Sequence, residues 1–210
     1  MTRTACLAFL AIALVGAADE NYVSLFDGKT TQGWTPIEGK PDNWLVKDGL
    51  LVTKGEGGGW LSTEKTYSNF ILKLEYRTGP AGNSGVFLRS PRQGDPAYVG
   101  MEIQILDDDD AKYKTLKPFQ YTGSVYGVVP AERGHIRPPG QWNAMEITAD
   151  GPRITVKING ATVVDANLKE HPDSVKEHPG ITRSEGYIGL QSHSEPVEFR
   201  NIQVRELPAK

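Results

Sequence analysis

The chain has 210 residues, 38% of them hydrophobic, and a formal net charge of −3. That length suits one all-β domain, and no sharp shift in composition divides it. A mildly acidic chain carries neither the basic surface that nucleic acid requires nor a polybasic membrane anchor, so no nucleic-acid partner and no membrane insertion are expected.

The first 18 residues read as a signal peptide, with Arg3 as the positive end, an apolar run over 5–15, and Gly16-Ala17-Ala18 before the cleavage point. The run is short for a bilayer span. Export to the periplasm or the outside is therefore expected, with residues 19–210 as a single domain. The lone cysteine, Cys6, lies inside the leader. The mature chain should thus hold together by its core, with no disulfide.

In chain order, a short strand is expected over 22–26, closed by Asp27-Gly28. Trp34 and Trp44 anchor a loop-rich stretch. The runs 45–46 and 50–52 flank Asp48-Gly49 and predict a hairpin. Residues 55–59 are nearly all glycine; no Lys-Ser/Thr follows, so they read as a turn into a strand over 57–62, not a phosphate loop.

The stretch 70–107 is the most periodic. Phe70, Leu72, Leu74 and Tyr76 alternate with Ile71, Lys73, Glu75 and Arg77, which is the period of a half-buried strand. Val86 and Leu88 oppose Phe87 and Arg89 in a strand over 85–90. Met101, Ile103 and Ile105 oppose Glu102, Gln104 and Leu106 in a third. The polar faces, with Glu75, Arg77, Arg89, Glu102 and Gln104, suggest a surface on neighbouring strands that grips a ligand.

Asp108 to Asp110 read as a solvated loop, because no glycine and no later glutamate complete a calcium-loop spacing. Residues 111–140 read as long loops with a short strand over 123–128; such loops are often binding loops. Strands resume over 141–149, 153–158 and 162–166, with turns at Asp150-Gly151 and Asn159-Gly160. Glu170-His171-Pro172 and Glu177-His178-Pro179 read as an exposed loop, not a metal pair. Strands over 186–192 and 197–206 close the chain, the last with a shift of alternation at Asn201. The first and last strands are expected to share a sheet. Short strands, turns throughout and 23 glycines with 14 prolines predict an all-β sandwich of two antiparallel sheets around a groove.

Ser24-Leu25-Phe26-Asp27-Gly28-Lys29 with Gly33-Trp34, Asn83-Ser84-Gly85, Arg89, the run Glu102-Ile103-Gln104-Ile105-Leu106-Asp107, Gly140-Gln141-Trp142-Asn143, Asn159-Gly160, Ile188-Gly189-Leu190-Gln191 and Phe199-Arg200-Asn201-Ile202 form an ordered set. On these residues the chain, over about 22–207, resembles the 3-keto-disaccharide hydrolase domain family, formerly a domain of unknown function. The resemblance implies a concanavalin A-like jelly-roll sandwich, its concave sheet carrying the groove. It also implies a bacterial exported enzyme and a carbohydrate substrate whose C3 hydroxyl a separate sugar dehydrogenase has oxidised. Cleavage by hydrolysis is implied, for some members by elimination. No catalytic set comes with it, so the roles below are read from the residues.

The strand motif E-x-D-x-x-E of glucanases is missing, because Gln104 stands where the second carboxylate would be. Double displacement, which needs two carboxyls at a fixed separation, is therefore weakly supported. A 3-keto sugar asks for less: a base for the proton on C2, a donor for the enolate and an acid for the leaving oxygen. Glu102, His193 and Asp107 are the candidate catalytic residues. Glu102 could instead be an ion-pair partner of Arg77 or Arg89, and His193 a surface histidine, although imidazole suits proton transfer. Glu75, Arg77, Asn83, Arg89, Gln104, Tyr121, Tyr126 and Gln191 are the candidate substrate-binding residues, Tyr121 and Tyr126 as stacking rings. Trp142 reads as core packing. Glu102 is expected beside Arg89 and within reach of His193. No cofactor is required by these residues, and metal use stays open, with Asp107 and His193 as a conceivable pair. An inert carbohydrate-binding module of the same fold is the alternative function, and ordinary glycoside hydrolysis a third.

Overall fold

The structure, a computed structural model, describes residues 21–56 and 58–208. The leader with Cys6, and Gly57, lie outside the described residues. The strands are β1 (Val23–Ser24), β2 (Trp34–Ile37), β3 (Trp44–Lys47), β4 (Leu50–Thr53), β5 (Trp60–Tyr67), β6 (Phe70–Thr78), β7 (Asn83–Ser90), β8 (Met101–Leu106), β9 (Asn143–Asp150), β10 (Arg153–Ile158), β11 (Ala161–Asn167), β12 (Gly186–Gln191) and β13 (Val197–Glu206). One helical turn, α1 (Pro96–Val99), lies between β7 and β8. All pairings are antiparallel.

The larger, eight-stranded sheet runs β11-β10-β9-β6-β13-β4-β3, with β1 on β13; the smaller, five-stranded sheet runs β2-β5-β12-β7-β8. Alternation decides which side chains meet between them. Phe70, Leu72, Leu74 and Tyr76 of β6 face Leu61, Val86, Leu88, Ile103, Ile105, Ile188 and Leu190 in one core. Burying each such side chain stabilises the fold by roughly 1.5–3 kcal/mol relative to exposure.

The end-strand expectation holds, since Val23 pairs with Val204. So does the shift at Asn201, whose φ is +52° and where the β13 register slips between Arg200 and Gln203. The slip lets both Phe199 and Ile202 bury in the core. The hairpin at Asp48-Gly49 also forms, with both residues at positive φ.

Four expectations need correcting. The strand expected over 57–62 is β5, Trp60–Tyr67. Residues 123–128 form no strand; Val125 makes isolated bridges to Ile103 and Val129. Asp108 is buried, its carboxylate accepting from the Thr122 N–H at 3.0 Å and hydroxyl at 2.8 Å. Finally, β6 and β7 are sequence neighbours that lie in different sheets. The link between them crosses the sandwich, so their polar faces do not combine into one surface.

Candidate active site

β7, β8 and β12 bring one set of outward positions together on the smaller sheet. Phe87 stands opposite Glu102, Gly85 opposite Gln104, and Gly189 opposite Phe87. A pocket of about 250 Å³ opens over them, lined by Asn83, Asp95, Tyr98, Glu102, Gln104, Tyr126, Gln191 and His193 among others. An adjoining pocket of about 370 Å³ shares Asp95, Gln191 and His193 and has Trp60 and Phe87 in its wall. Those two rings meet edge to face at 5.6 Å.

Glu102 sits in this pocket and is only 3% exposed. Gly85 makes the room for it: a Cβ at residue 85 would overlap the Glu102 carboxylate, with Cδ 2.8 Å away. Burial pushes the Glu102 carboxyl up to about 8; the Asp95 carboxylate acts in the same direction, and a hydrogen bond with Gln191 acts against both. Gln104 Oε1 accepts from the Ile105 N–H at 2.9 Å, which leaves its NH2 as the group free to donate to a ligand. The Gln191 Oε1 is buried without a partner among the described residues.

Two irregular segments complete the walls. Residues 119–129 run along the free edge of β8, where the Gln104 N–H donates to Ser124 O at 3.1 Å and the Tyr126 N–H to Glu102 O at 2.9 Å. This edge contact fixes Tyr126, whose hydroxyl accepts from Gln120 Nε2 at 2.9 Å. On the other side the Asp95 carboxylate accepts from the Ala97 N–H at 3.0 Å and starts α1, which presents Tyr98. Sequence periodicity could not have found Asp95 or Tyr98, because both lie outside any strand pattern.

Of the candidates named from sequence, the structure gathers Glu102, His193, Asn83, Gln104, Tyr126 and Gln191. The others lie elsewhere. Arg89 is not beside Glu102. It has a φ of +50° in a bulge of β7, where Leu88 and Arg89 together oppose Ile188. The bulge breaks the alternation and sends the guanidinium, in a residue 1% exposed, to Ser68 O at 2.8 Å, Gly151 O at 2.7 Å and Arg183 O at 3.2 Å. It clasps three turns and lines neither of the two pockets over β8 and β12. Glu75 and Arg77 lie on the outer face of the larger sheet, each paired across to β13, with Arg200 and Glu198 respectively. Trp142 is on that face too, half-buried under Arg77 at 4.8 Å and Arg200 at 4.0 Å, and is not core packing.

Tyr121 is buried beside Leu106 and Tyr113, donates to Tyr113 O at 3.0 Å and lies under Arg133, so it offers no ring to a ligand. Asp107 accepts from the Ala81 N–H at 3.0 Å and pins the β6–β7 link; it lines neither pocket. No group of three or more His, Cys, Asp or Glu suited to a metal occurs among the described residues. His178, expected in an exposed loop, is buried. Other hollows, one of about 400 Å³ over Glu75 and Glu146 and one of about 390 Å³ by Arg89, contain no buried carboxyl.

Two antiparallel sheets packed on a shared core form a lectin-type, concanavalin A-like sandwich, with Glu102 buried on the outer face of the smaller sheet. The chain belongs to the 3-keto-alpha-glucoside-1,2-lyase-like domain family, whose sequence model matches residues 21–205. A Bacteroides thetaiotaomicron protein named 3-keto-disaccharide hydrolase is 29% identical over 90% of this chain and 79% of its own length. A crystal structure from Parabacteroides distasonis, provisionally assigned as a glycosyl hydrolase, superposes with a TM-score of 0.77 at 29% identity, covering 89% of this chain and 99% of that one. The carbohydrate-binding module CBM66 of Bacillus subtilis shares the fold, with a TM-score of 0.57 at 17% identity over 83% of this chain and 96% of its own.

Proposed function

We propose that the protein cleaves the glycosidic bond of 3-keto-glycosides, with Glu102 as the base that takes the proton from C2. The observation that carries this reading is a single buried carboxyl, raised to about 8, in a pocket otherwise lined by amides, phenols, one imidazole and the exposed Asp95 carboxylate. A carboxylate with a raised pKa is a stronger base than an ordinary one, and it lies near the working pH. The C3 ketone acidifies the C2–H bond. Glu102 takes the proton, and the bond electrons pass into an enolate whose oxygen needs donors; the amides of Gln104, Gln191 and Asn83 are the available ones. The enolate then expels the C1 oxygen, which leaves with the C1–O electrons and takes a proton, for which His193 at the pocket edge is placed. Water adding back at C1 completes a net hydrolysis; release before that step is a lyase reaction.

The family membership and the name of the Bacteroides relative support the substrate class. The apolar leader over 1–18 supports export, and the ketone requirement supports action downstream of a separate sugar dehydrogenase. Incubation with a 3-keto-glucoside and with its unoxidised parent tests the reading. Cleavage of the first alone is expected. Cleavage of both would indicate ordinary glycoside hydrolysis, and binding without cleavage would make the protein a carbohydrate-binding module.

A further inference from the structure

Among the Phe, Tyr and Trp rings of the described residues, Tyr98 alone is left exposed, 39% accessible, and it stands in the wall of the Glu102 pocket. Its ring is backed by that of His178, nearly parallel at 4.9 Å and 13°. His178 is 5% exposed, and its Nδ1 is buried with no hydrogen-bond partner among the described residues. An unpaired buried ring nitrogen costs stability, so the imidazole is not there to satisfy its own polarity. Tyr126, edge-on to Tyr98 at 6.4 Å and to His178 at 6.5 Å, closes the third side.

The backbone is cut to fit this stack. A Cβ on Gly127 would overlap the His178 ring, and a Cβ on Gly180 would overlap the Gly100 carbonyl next to α1. The segment from Pro172 to Thr182 is thereby pressed against α1, and His178 sits directly behind Tyr98.

We propose that Tyr98 is the platform on which a pyranose ring of the substrate packs its C–H face, and that His178 is the positioning residue that holds the Tyr98 ring at that angle. The idea deepens the carbohydrate reading above and rests on it. A pyranose presents a face of C–H groups flanked by hydroxyls. A flat exposed ring next to amide donors matches both. The ring face, not the phenol hydroxyl, does the work.

The test is sugar affinity measured by calorimetry on Glu102→Gln protein, using a 3-keto-glucoside and its unoxidised parent as probes, together with KM and kcat on the parent enzyme. Tyr98→Ala is expected to weaken affinity and raise KM by about five- to tenfold with kcat changed far less, while Tyr98→Phe retains most of the affinity. His178→Ala should weaken binding by a smaller factor at temperatures well below its melting point. Should His178→Ala lower the melting point and leave affinity intact, its positioning role is overturned. Unchanged affinity in Tyr98→Ala overturns the platform while wild-type turnover still stands for the function. Equal losses in Phe and Ala variants would assign the binding to the hydroxyl and overturn it as well. If neither sugar binds and neither is cleaved, the platform and the carbohydrate reading fall together.

Discussion

The Glu102 carboxylate occupies the space in which residue 85 would carry its Cβ. The two residues are on paired strands, with Gly85 opposite Gln104, so the glycine clears the position diagonal to Glu102. Gly85→Ala should therefore push the carboxyl out of its seat. A loss of about 1–3 kcal/mol in stability is expected from overpacking, with turnover falling at least about tenfold. Kinetics below the melting transition check this; an alanine variant with wild-type turnover would show that the seat does not matter.

Glu102→Gln keeps the shape and removes the base. Turnover on a 3-keto-glucoside should fall by about a hundredfold or more while sugar affinity stays within a few-fold. In the wild type, kcat/KM should rise with pH and level off above about 8, where Glu102 becomes ionised. A profile that instead falls through that pH would make Glu102 the acid.

The raised carboxyl also sets a sign for stability. Below the ordinary glutamate range both folded and unfolded chains hold the proton, and Glu102 contributes nothing to the pH dependence. Between that range and about 8 the unfolded chain releases the proton and the folded one keeps it, so rising pH destabilises the fold by roughly 1 kcal/mol per pH unit. Above about 8 the penalty is constant. The stability difference between Glu102→Gln and wild type should thus grow from pH 5 to pH 8, as read from denaturant melts. A difference that does not change with pH would refute the buried-acid assignment.

Arg89 and Arg77 should separate by role. Arg89→Ala removes a buried guanidinium that bonds the carbonyls of three turns and should cost about 2–4 kcal/mol. Arg77→Ala loses a half-exposed pair with Glu198 and should cost under about 1 kcal/mol. Neither should change KM when assayed on folded protein. A marked rise in KM for Arg77→Ala would place the ligand on the larger sheet.

Alternation along 70–78 and 197–206 was enough to say which side chains are buried, because each strand must set one face against the core; along 101–106 it gave the face, but all six residues are buried. It also placed Glu102 and Gln104 on one face of their strand and Gln191 and His193 on one face of theirs; the pocket that joins them with Asn83 appears only in the structure. Arg89 escaped that logic, because a bulge at positive φ has no period to betray it. Glu75 and Arg77 escaped it for another reason: the strand pattern is the same whether the next strand pairs in the same sheet or crosses to the other one. Tyr98, His178 and Asp95 carry no strand period; loop packing alone stacks His178 on Tyr98 and brings Tyr98 and Asp95 to one pocket.

The sequence by itself determined the all-β class, the turns, the join of the first and last strands and the family, since these depend on local periodicity and an ordered set of short motifs. Only the tertiary structure decided which polar residues share a pocket. Sheet membership, the Arg89 bulge and the stacking of His178 on Tyr98 arise from contacts between residues distant in the chain. The desolvation that pushes the Glu102 carboxyl up comes from the same contacts.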